Sequence, residues 1–285
     1  MEYSLRDQIL TYLDHWLRQP NYAAEIIAAH PDIHQQMADF FLKGDVELIM
    51  ATRLFLQQVV LVERDEVAVQ FSKGLSASPI VPALEWLILH HPTHLIREQT
   101  SITLGKLCLY DRVGTLFECF YRYLDTDPLL LDALMFEIGW LQRASDTTEQ
   151  LACLEAAATS WNYLTRWATV HMIDRMTHRE ITSPRVSHIL DMLAEDDMAV
   201  IRAEVEFFLF KIDILSRIYS EGVTKKERRA MWKQINQAEP ALTFEKLEMQ
   251  FCRPLFEDNK GNYHVMDLMR FADHLIEQHR STISS

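Results

Sequence analysis

Glycine and proline are scarce in this sequence. Only 7 glycines and 9 prolines occur in 285 residues, and these are the residues on which tight turns between strands most often depend. The composition therefore leaves few turn-forming residues for a fold built mainly of β-strands and argues against one. The chain also contains no P-loop, no Gly-x-Gly-x-x-Gly motif and no Gly-x-Ser-x-Gly element. It therefore offers neither a recognised phosphate-binding loop nor a recognised catalytic serine.

Paired cysteines and long apolar runs are absent as well. The four cysteines, none of which belongs to a Cys-x-x-Cys motif, are Cys108, Cys119, Cys153 and Cys252. They lie in apolar segments, so we expect reduced, buried side chains and a reducing compartment. The most apolar run, Phe207–Phe210, is far too short to span a bilayer, and Met1–Ser4 does not resemble a signal peptide. The sequence predicts a cytoplasmic protein with no membrane partner.

Positive charge is the third shortage. The chain has 28 Lys and Arg residues against 41 Asp and Glu residues, which gives a formal net charge of −13. Binding to nucleic acid depends on neutralising phosphates, so this balance argues against a general affinity for DNA or RNA. It fits a soluble protein, or one that binds a basic partner.

Four segments share one pattern of apolar and polar residues along the chain. Their common polar position is Arg97, Asp132, Arg166 and Arg202, at steps of 35, 34 and 36 residues. A fixed period of ~20–50 residues is the signature of stacked repeats. Each segment is predicted to begin the second helix of a helical hairpin. The expected hairpins pair 80–90 with 94–110, 113–124 with 128–143, 148–159 with 163–177, and 184–194 with 198–219.

The period is lost on both sides of these hairpins. We predict an N-terminal helical cap at 1–75, repeats at 76–219 and a C-terminal helical cap at 220–285, within one continuous array. The first helix is expected to run from an N-cap at Ser4 to Pro20, and Pro31 to occupy the first position of a later helix. Residues 57–63 fit either a strand or a helix end, and the helical surroundings favour a helix end.

The aligned segments resemble HEAT-like repeats of the armadillo type. In that family an apolar pair and then an arginine stand near the start of the second helix, after a polar turn. Arg97, Arg166 and Arg202 match that arginine, whereas Asp132 departs from it, so the second repeat is the least regular. The resemblance implies an all-α fold, a right-handed α-α superhelix with divergent helical caps at both ends.

The resemblance also implies a surface for binding another macromolecule, since such repeats occur in scaffolds, adaptors, inhibitors and a few enzymes. We expect a non-enzymatic scaffold, adaptor or inhibitor that binds a protein partner, basic in character, through shape and charge. The candidate partner-binding residues are Arg97, Asp132, Arg166, Trp167, Arg202, Asp196 and Asp197. A separate basic patch for an anionic partner comprises Lys225, Lys226, Arg228, Arg229 and Lys233.

A DNA-repair enzyme is the alternative. Helical-repeat DNA glycosylases are similar to this chain in size and in all-helical build. That resemblance implies that Trp161 or Trp167 stacks on a nucleotide and that Arg166 holds a phosphate. Asp174 would stabilise a positively charged sugar during base excision. A third idea, a lyase or a chaperone for a bound cofactor, is selected by no feature of the sequence.

Histidine spacing predicts no metal site. Two pairs have the i, i+4 spacing of helical metal ligands, but a proline interrupts each pair. These pairs are His30 with His34 and His90 with His94. His171 and His178 lie two turns apart and are interpreted as structural. We therefore expect neither a metal nor a cofactor.

Overall fold

The protein is all-helical in the part of the chain that the computed structural model describes. That part comprises residues 4–16, 21–63, 65–142, 147–176, 183–257 and 261–283. It contains 17 α-helices and two short 3-10 helices, and no β-strand occurs within it. The all-α fold class is thus confirmed. None of these helices has both the length and the apolar character required to cross a bilayer.

The chain divides into two compact units, and unit 1 comprises Met1–Arg122 and Glu137–Ser145. Its helices are α1 (Leu5–Leu10), α2 (Tyr12–Trp16), α3 (Tyr22–Ala29), α4 (Ile33–Lys43), α5 (Val46–Leu61), α6 (Glu66–Gly74), α7 (Ile80–His90), α8 (His94–Lys106) and most of α9 (Val113–Tyr123). Helix α4 packs on α5 and on α7, and α5 packs on α8. Two helical hairpins therefore stack with first helix on first helix and second on second. Large apolar side chains such as Phe41, Phe55 and Leu56 fill the interior.

Unit 2 comprises Tyr123–Phe136 and Asp146–Ser285. It contains the start of α10 (Pro128–Gln142) and the helices α11 (Thr148–Ala158), α12 (Tyr163–Asp174), α13 (Pro184–Ala194), α14 (Ala199–Ile218), α15 (Lys225–Ala238), α16 (Phe244–Glu257) and α17 (Val265–Ile283). Helix α11 packs on α13 and α12 packs on α14, which repeats the hairpin stacking of unit 1. Helix α15 packs on α14, and α16 packs on α12 and α17.

Side-chain caps fix where several helices begin. Asp45 accepts a hydrogen bond from the backbone N–H of Leu48 at 2.9 Å, and Asp65 accepts one from Ala68 at 2.9 Å. Each satisfies a donor that a helix start leaves without an intrahelical partner. At α15 the Thr224 side chain and the Glu227 side chain form a reciprocal capping box. The predicted caps at Ser4 and Thr224 are confirmed.

The predicted hairpin helices agree with the structure within one residue at most ends. The main correction is α8, which ends at Lys106 and not near residue 110. Cys108 has a φ of 54°, and this left-handed conformation is incompatible with a continuing right-handed helix. Cys108 is also partly exposed, so the prediction of four buried cysteines is wrong at that position. Helix α12 ends at Asp174, three residues before the predicted end at residue 177. The predicted end at residue 143 lies outside the described residues.

The N-terminal region departs further from expectation. The first predicted helix is divided at Thr11, whose hydroxyl donates to the carbonyl of Asp7 at 2.8 Å; its expected end at Pro20 lies outside the described residues. Pro31 precedes the N-cap residue Asp32 and does not open the helix. Helix α5 continues to Leu61, so the helix-end interpretation of residues 57–63 is confirmed. Helix α6 had no counterpart in the prediction, although its cap residue Asp65 is a recognisable signal.

Candidate functional site

The three arginines of the repeat register close the turns that precede their own helices. Each uses Nη1 to donate to the two backbone carbonyls that lie six and five residues earlier. The distances are 2.7 and 2.8 Å for Arg97 and 3.0 and 3.3 Å for Arg166. Arg202 makes the same pair of bonds, to Asp196 and, at 3.0 Å, to Asp197. Matching sequence positions thus have matching contacts, and this Nη1 atom is used in holding each hairpin together.

Arg166 has a second attachment, to the turn of the next hairpin. Its Nε and Nη2 donate to the two carboxylate oxygens of Asp196 at 2.6 and 3.1 Å, and Nη2 also donates to Asp197 at 2.7 Å. The Asp196 side chain is only 5% exposed. Burial alone would raise the pKa of Asp196, but the hydrogen bonds from Arg166 hold it below its usual value. Arg166 and Asp196 therefore form a largely buried pair, whereas Asp197, with 81% of its side chain exposed, lies at the surface.

Two other predicted contact residues, Trp167 and Asp132, are buried. Trp167 has no exposed surface and donates its indole N–H to the carboxylate of Glu204. Its ring packs edge-on against Phe244, with centroids 6.0 Å apart. Asp132 is 3% exposed and occupies the register position that elsewhere holds arginine. In the folded chain neither side chain has a surface that a partner reaches directly.

The basic patch of α15 has the opposite character, because all five of its residues are exposed. Lys226, Arg229 and Lys233 have the spacing i, i+3, i+7 and so share one stripe of the helix. Within the described residues these side chains form no ion pair. Helix α15 is anchored to α14 through a small apolar cluster in which Ile235 is the one fully buried α15 residue.

A cavity of about 250 Å³ lies in unit 2, bounded by α12, α14, α15 and α16. Its apolar wall includes Phe207, Phe208 and Trp232. The ionisable side chains that line it are His171, Asp174, Glu204, Lys211, Glu239 and Glu245. Four carboxylates thus line the cavity together with a single ammonium group.

The carboxylates of the cavity differ in how they are compensated. Lys211 Nζ lies 2.8 and 2.5 Å from the two oxygens of Asp174, and Lys246 lies 2.9 Å from Glu239. Glu245, on the first turn of α16, is exposed and makes no ion pair with any residue that the structure describes. The cavity therefore keeps an excess of negative charge at Glu245, next to the aromatic wall.

Glu204 is the buried carboxylate of the cavity, with 7% of its surface exposed. Burial raises its pKa to about 7, against the opposing effect of two donors, the backbone N–H of Phe244 at 2.8 Å and the indole of Trp167. Near neutral pH this group therefore exchanges a proton inside the wall of the cavity.

Behind the cavity, Asp132, His171 and Glu248 form a second cluster. One potential ligand atom from each residue lies within 4.8 Å of the others. His171 Nε2 and Asp132 Oδ1 are 3.7 Å apart, and Arg175 Nη1 is 2.7 Å from the other Asp132 oxygen. Burial raises the pKa of Asp132 and lowers that of His171, so each resists taking up charge. His171 is shared between this cluster and the cavity.

The sequence prediction did not include Glu204, Lys211, Glu245 or Glu248 among its candidate site residues. One signal was available in the repeat spacing. Lys211 follows its partner Asp174 by 37 residues, and Glu204 follows its partner Trp167 by 37 residues. Both steps are close to one repeat, so side chains one period apart were candidates for contact between neighbouring hairpins. Glu245 and Glu248 lie on α16, beyond the repeats, where that signal does not reach.

The residues on which the repair alternative depends have three different environments. Asp174 is bound to Lys211, Trp167 is buried, and Trp161 is 69% exposed. The cavity itself has the chemistry of a site for a cation with an apolar stem, because carboxylates and aromatic rings line it together. Comparison with known proteins finds no protein-family model, no curated protein and no solved structure that matches this chain.

Proposed function

We propose that this protein is a non-enzymatic scaffold of HEAT-like hairpins that binds a segment of a protein partner through a lysine or arginine of that segment. In this proposal the hairpins form a right-handed α-α superhelix, and the partner inserts a lysine or arginine side chain into the cavity of unit 2. The observation that supports it most strongly is the lining of that cavity, with an uncompensated carboxylate beside an aromatic wall.

The repeat contacts support the scaffold part of the proposal. The register arginines bind their own turns, and hairpins stack with like helices in contact inside each unit. Such packing leaves each hairpin dependent on its neighbours and gives a rigid platform. The buried side chains thus hold the hairpins together, and the side chains on the surface contact the partner.

The cavity suits a cationic side chain for two physical reasons. Lysine and arginine have apolar stems that pack on rings such as Trp232 and Phe207, and charged ends that carboxylates such as Glu245 compensate. A volume of about 250 Å³ is large enough for one such side chain but not for a folded element.

Helix α15 extends the recognition surface. Trp232 and Asn236 line the cavity, while Lys226 and Arg229 lie up to about three turns earlier on the same helix. These cations disfavour a uniformly basic partner and favour one that has acidic residues next to its inserted lysine or arginine. The pattern thus selects a segment of mixed charge, and charge patterning of this kind gives specificity.

Calorimetric titration with short blocked peptides tests the proposal. An arginine flanked on one side by glutamates is compared with the same peptide in which neutral citrulline replaces arginine. We expect the citrulline peptide to bind at least about tenfold more weakly. Glu245→Gln should cause a similar loss, whereas Glu221→Gln, an exposed change outside the cavity, should leave the affinity unaltered. Equal binding of both peptides would contradict the proposal.

The DNA-repair alternative has less support. It requires Asp174 to face a sugar, but Asp174 is engaged by Lys211. It also requires exposed aromatics beside positive charge, but of the two candidate tryptophans only Trp161 is exposed, and the cavity is acidic. Release of a methylated base from DNA by the purified chain, lost in Asp174→Asn, would reinstate it.

A further inference from the structure

We propose that Asp132, His171 and Glu248 bind a divalent first-row metal ion, with zinc as the ion to test first. This inference goes beyond the proposed function and does not depend on it. It also replaces the expectation from the sequence that the chain holds no metal and that His171 is structural.

Two buried atoms without hydrogen-bond partners are the main evidence. Asp132 Oδ1 and His171 Nε2 are both buried and receive no hydrogen bond from any part of the chain that the structure describes. Their residues are 3% and 5% exposed. Leaving a buried polar atom unsatisfied costs about 1–3 kcal/mol, and here two such atoms face each other across 3.7 Å. An ion between them would satisfy both.

The distances fit such an ion. Zinc binds oxygen and nitrogen ligands at about 2.0–2.2 Å, so two ligand atoms on one tetrahedral ion lie about 3.4 Å apart. The observed 3.7 Å between His171 and Asp132 is close to that separation. A carboxylate oxygen of Glu248, a half-buried residue on α16, lies within 4.8 Å of a potential ligand atom of each of the other two residues.

The ligand types also point to a first-row transition metal. One imidazole with two carboxylates suits zinc, iron or manganese better than calcium or magnesium, which prefer oxygen alone. Arg175 holds the second oxygen of Asp132 at 2.7 Å and leaves Oδ1 to act as a single ligand atom. Such an outer contact orients a ligating carboxylate. His171 lines the cavity, which gives an ion a path to the cluster.

The local charge is favourable for a cation. The charged groups that the described residues place around the cluster include the carboxylates of Asp132, Glu248, Glu245 and Asp174 and the guanidinium of Arg175, with Lys211 paired to Asp174. Negative groups therefore exceed positive ones, and a divalent ion would reduce the repulsion among them.

Metal uptake by the full-length chain tests the inference. The protein is stripped with a chelator and dialysed against zinc, and bound zinc is measured per chain; cobalt is then substituted so that its visible absorption reports the coordination. We expect one tightly bound ion in the wild type. Glu248→Gln, a change at a half-buried position, should weaken binding at least about tenfold. His171→Gln should abolish it together with the cobalt spectrum.

His188→Gln is the matched control, because His188 is an exposed histidine of the same unit. It should bind zinc as the wild type does. Zinc should also raise the thermal midpoint of the wild type but not that of Glu248→Gln. Absence of uptake by the wild type, or uptake that Glu248→Gln leaves unchanged, would overturn the inference, even if His171→Gln failed to fold. The peptide titrations are run with chelator present, so that each proposal succeeds or fails by itself.

Discussion

In unit 1 the buried amide of Gln57 donates to the hydroxyl of Thr103 at 2.7 Å, whereas in unit 2 the buried carboxylate of Glu204 accepts two N–H groups and lines a cavity. Both units stack their hairpins in the same way. The Gln57–Thr103 hydrogen bond only joins two helices. The Glu204 carboxylate, in contrast, also lines a cavity that other ionisable groups surround. Similar hairpin packing thus coexists with very different chemistry.

The difference arises from the helices that follow the hairpins. In unit 2, α15 and α16 contribute Trp232 and Glu245 to the cavity and Glu248 to the buried cluster. Within the stacked hairpins, Arg97 and Arg166 bind the carbonyls of their own turns. We infer that the hairpins supply the frame and several of the ionisable groups, and that the helices after them complete both the cavity and the cluster.

The largest expected effect is loss of the central tryptophan of unit 2. Trp167→Ala removes a side chain with no exposed surface and should lower the free energy of unfolding by about 3–5 kcal/mol. Trp161→Ala, at 69% exposure, is the matched control and should change it by no more than about 0.5 kcal/mol. Urea unfolding measures both. Comparable losses for the two variants would refute the assignment of Trp167 to the core.

Replacing the three register arginines compares the same turn contacts in the two units. Arg166→Ala should lower the free energy of unfolding by about 2–3 kcal/mol, because it breaks two hydrogen bonds to carbonyls and removes the ion-pair partner of the nearly buried Asp196. Arg97→Ala should cost about 1–2 kcal/mol, and the more exposed Arg202→Ala about 1 kcal/mol or less. Denaturant unfolding of the three variants gives the order. An Arg202 variant less stable than the Arg166 variant would contradict this account.

Each unit contains one buried glutamate whose pKa burial raises to about 7, Glu137 in unit 1 and Glu204 in unit 2. The ordinary glutamate pKa is about 4.5, so between that pH and 7 the folded state binds more protons than the unfolded state. Stability from each group is therefore present at low pH and falls as pH rises through this window, by on the order of 2–3 kcal/mol.

Glutamine substitution separates the two contributions. Glu204→Gln and Glu137→Gln should each flatten part of the fall in unfolding free energy between pH 5 and 8, measured with urea at fixed ionic strength, and the double variant should flatten more. Glu221→Gln, at an exposed position, should leave the curve unchanged. A wild-type curve that rises with pH, with no difference in the glutamine variants, would show that these groups ionise freely.

The smallest effect on stability is expected for the basic stripe of α15. Replacing Lys226, Arg229 and Lys233 together by glutamine should change the unfolding free energy by no more than about 0.5 kcal/mol per site, since the side chains are solvated. The same variant should weaken binding of the glutamate-flanked arginine peptide at low salt and lose that difference at high salt. Unaltered peptide binding at low salt would remove α15 from the recognition surface.

Much of the helical layout follows from the sequence, because its signals are local. The hairpin turns are marked by prolines and capping residues, and the recurrence of arginine at positions 97, 166 and 202 of the register reflects contacts that each arginine makes within seven residues of itself. Local errors occurred where a backbone conformation is set by its surroundings, as at Cys108 with its positive φ. The superhelix and the boundaries at residues 75 and 219 remain predictions.

The candidate site was less accessible to sequence reasoning. Whether a tryptophan such as Trp167 is buried or exposed depends on the neighbouring hairpin and on α16, neither of which a helix pattern specifies. Pairing of Asp132 with His171 joins residues 39 apart in sequence, and Glu248 comes from a third helix outside the period. A site assembled from three helices leaves no motif in any one of them.

Methyl NMR during titration with a blocked arginine tests most directly whether the cavity of unit 2 is the recognition site. Ile235 and Val170 line the cavity, whereas Ile88 and Leu104 are buried in unit 1. We predict saturable shifts at the Ile235 and Val170 methyls, absent with blocked citrulline and reduced in Glu245→Gln, and no shift at Ile88 or Leu104. Shifts confined to unit 1, or equal shifts with arginine and citrulline, would contradict the account.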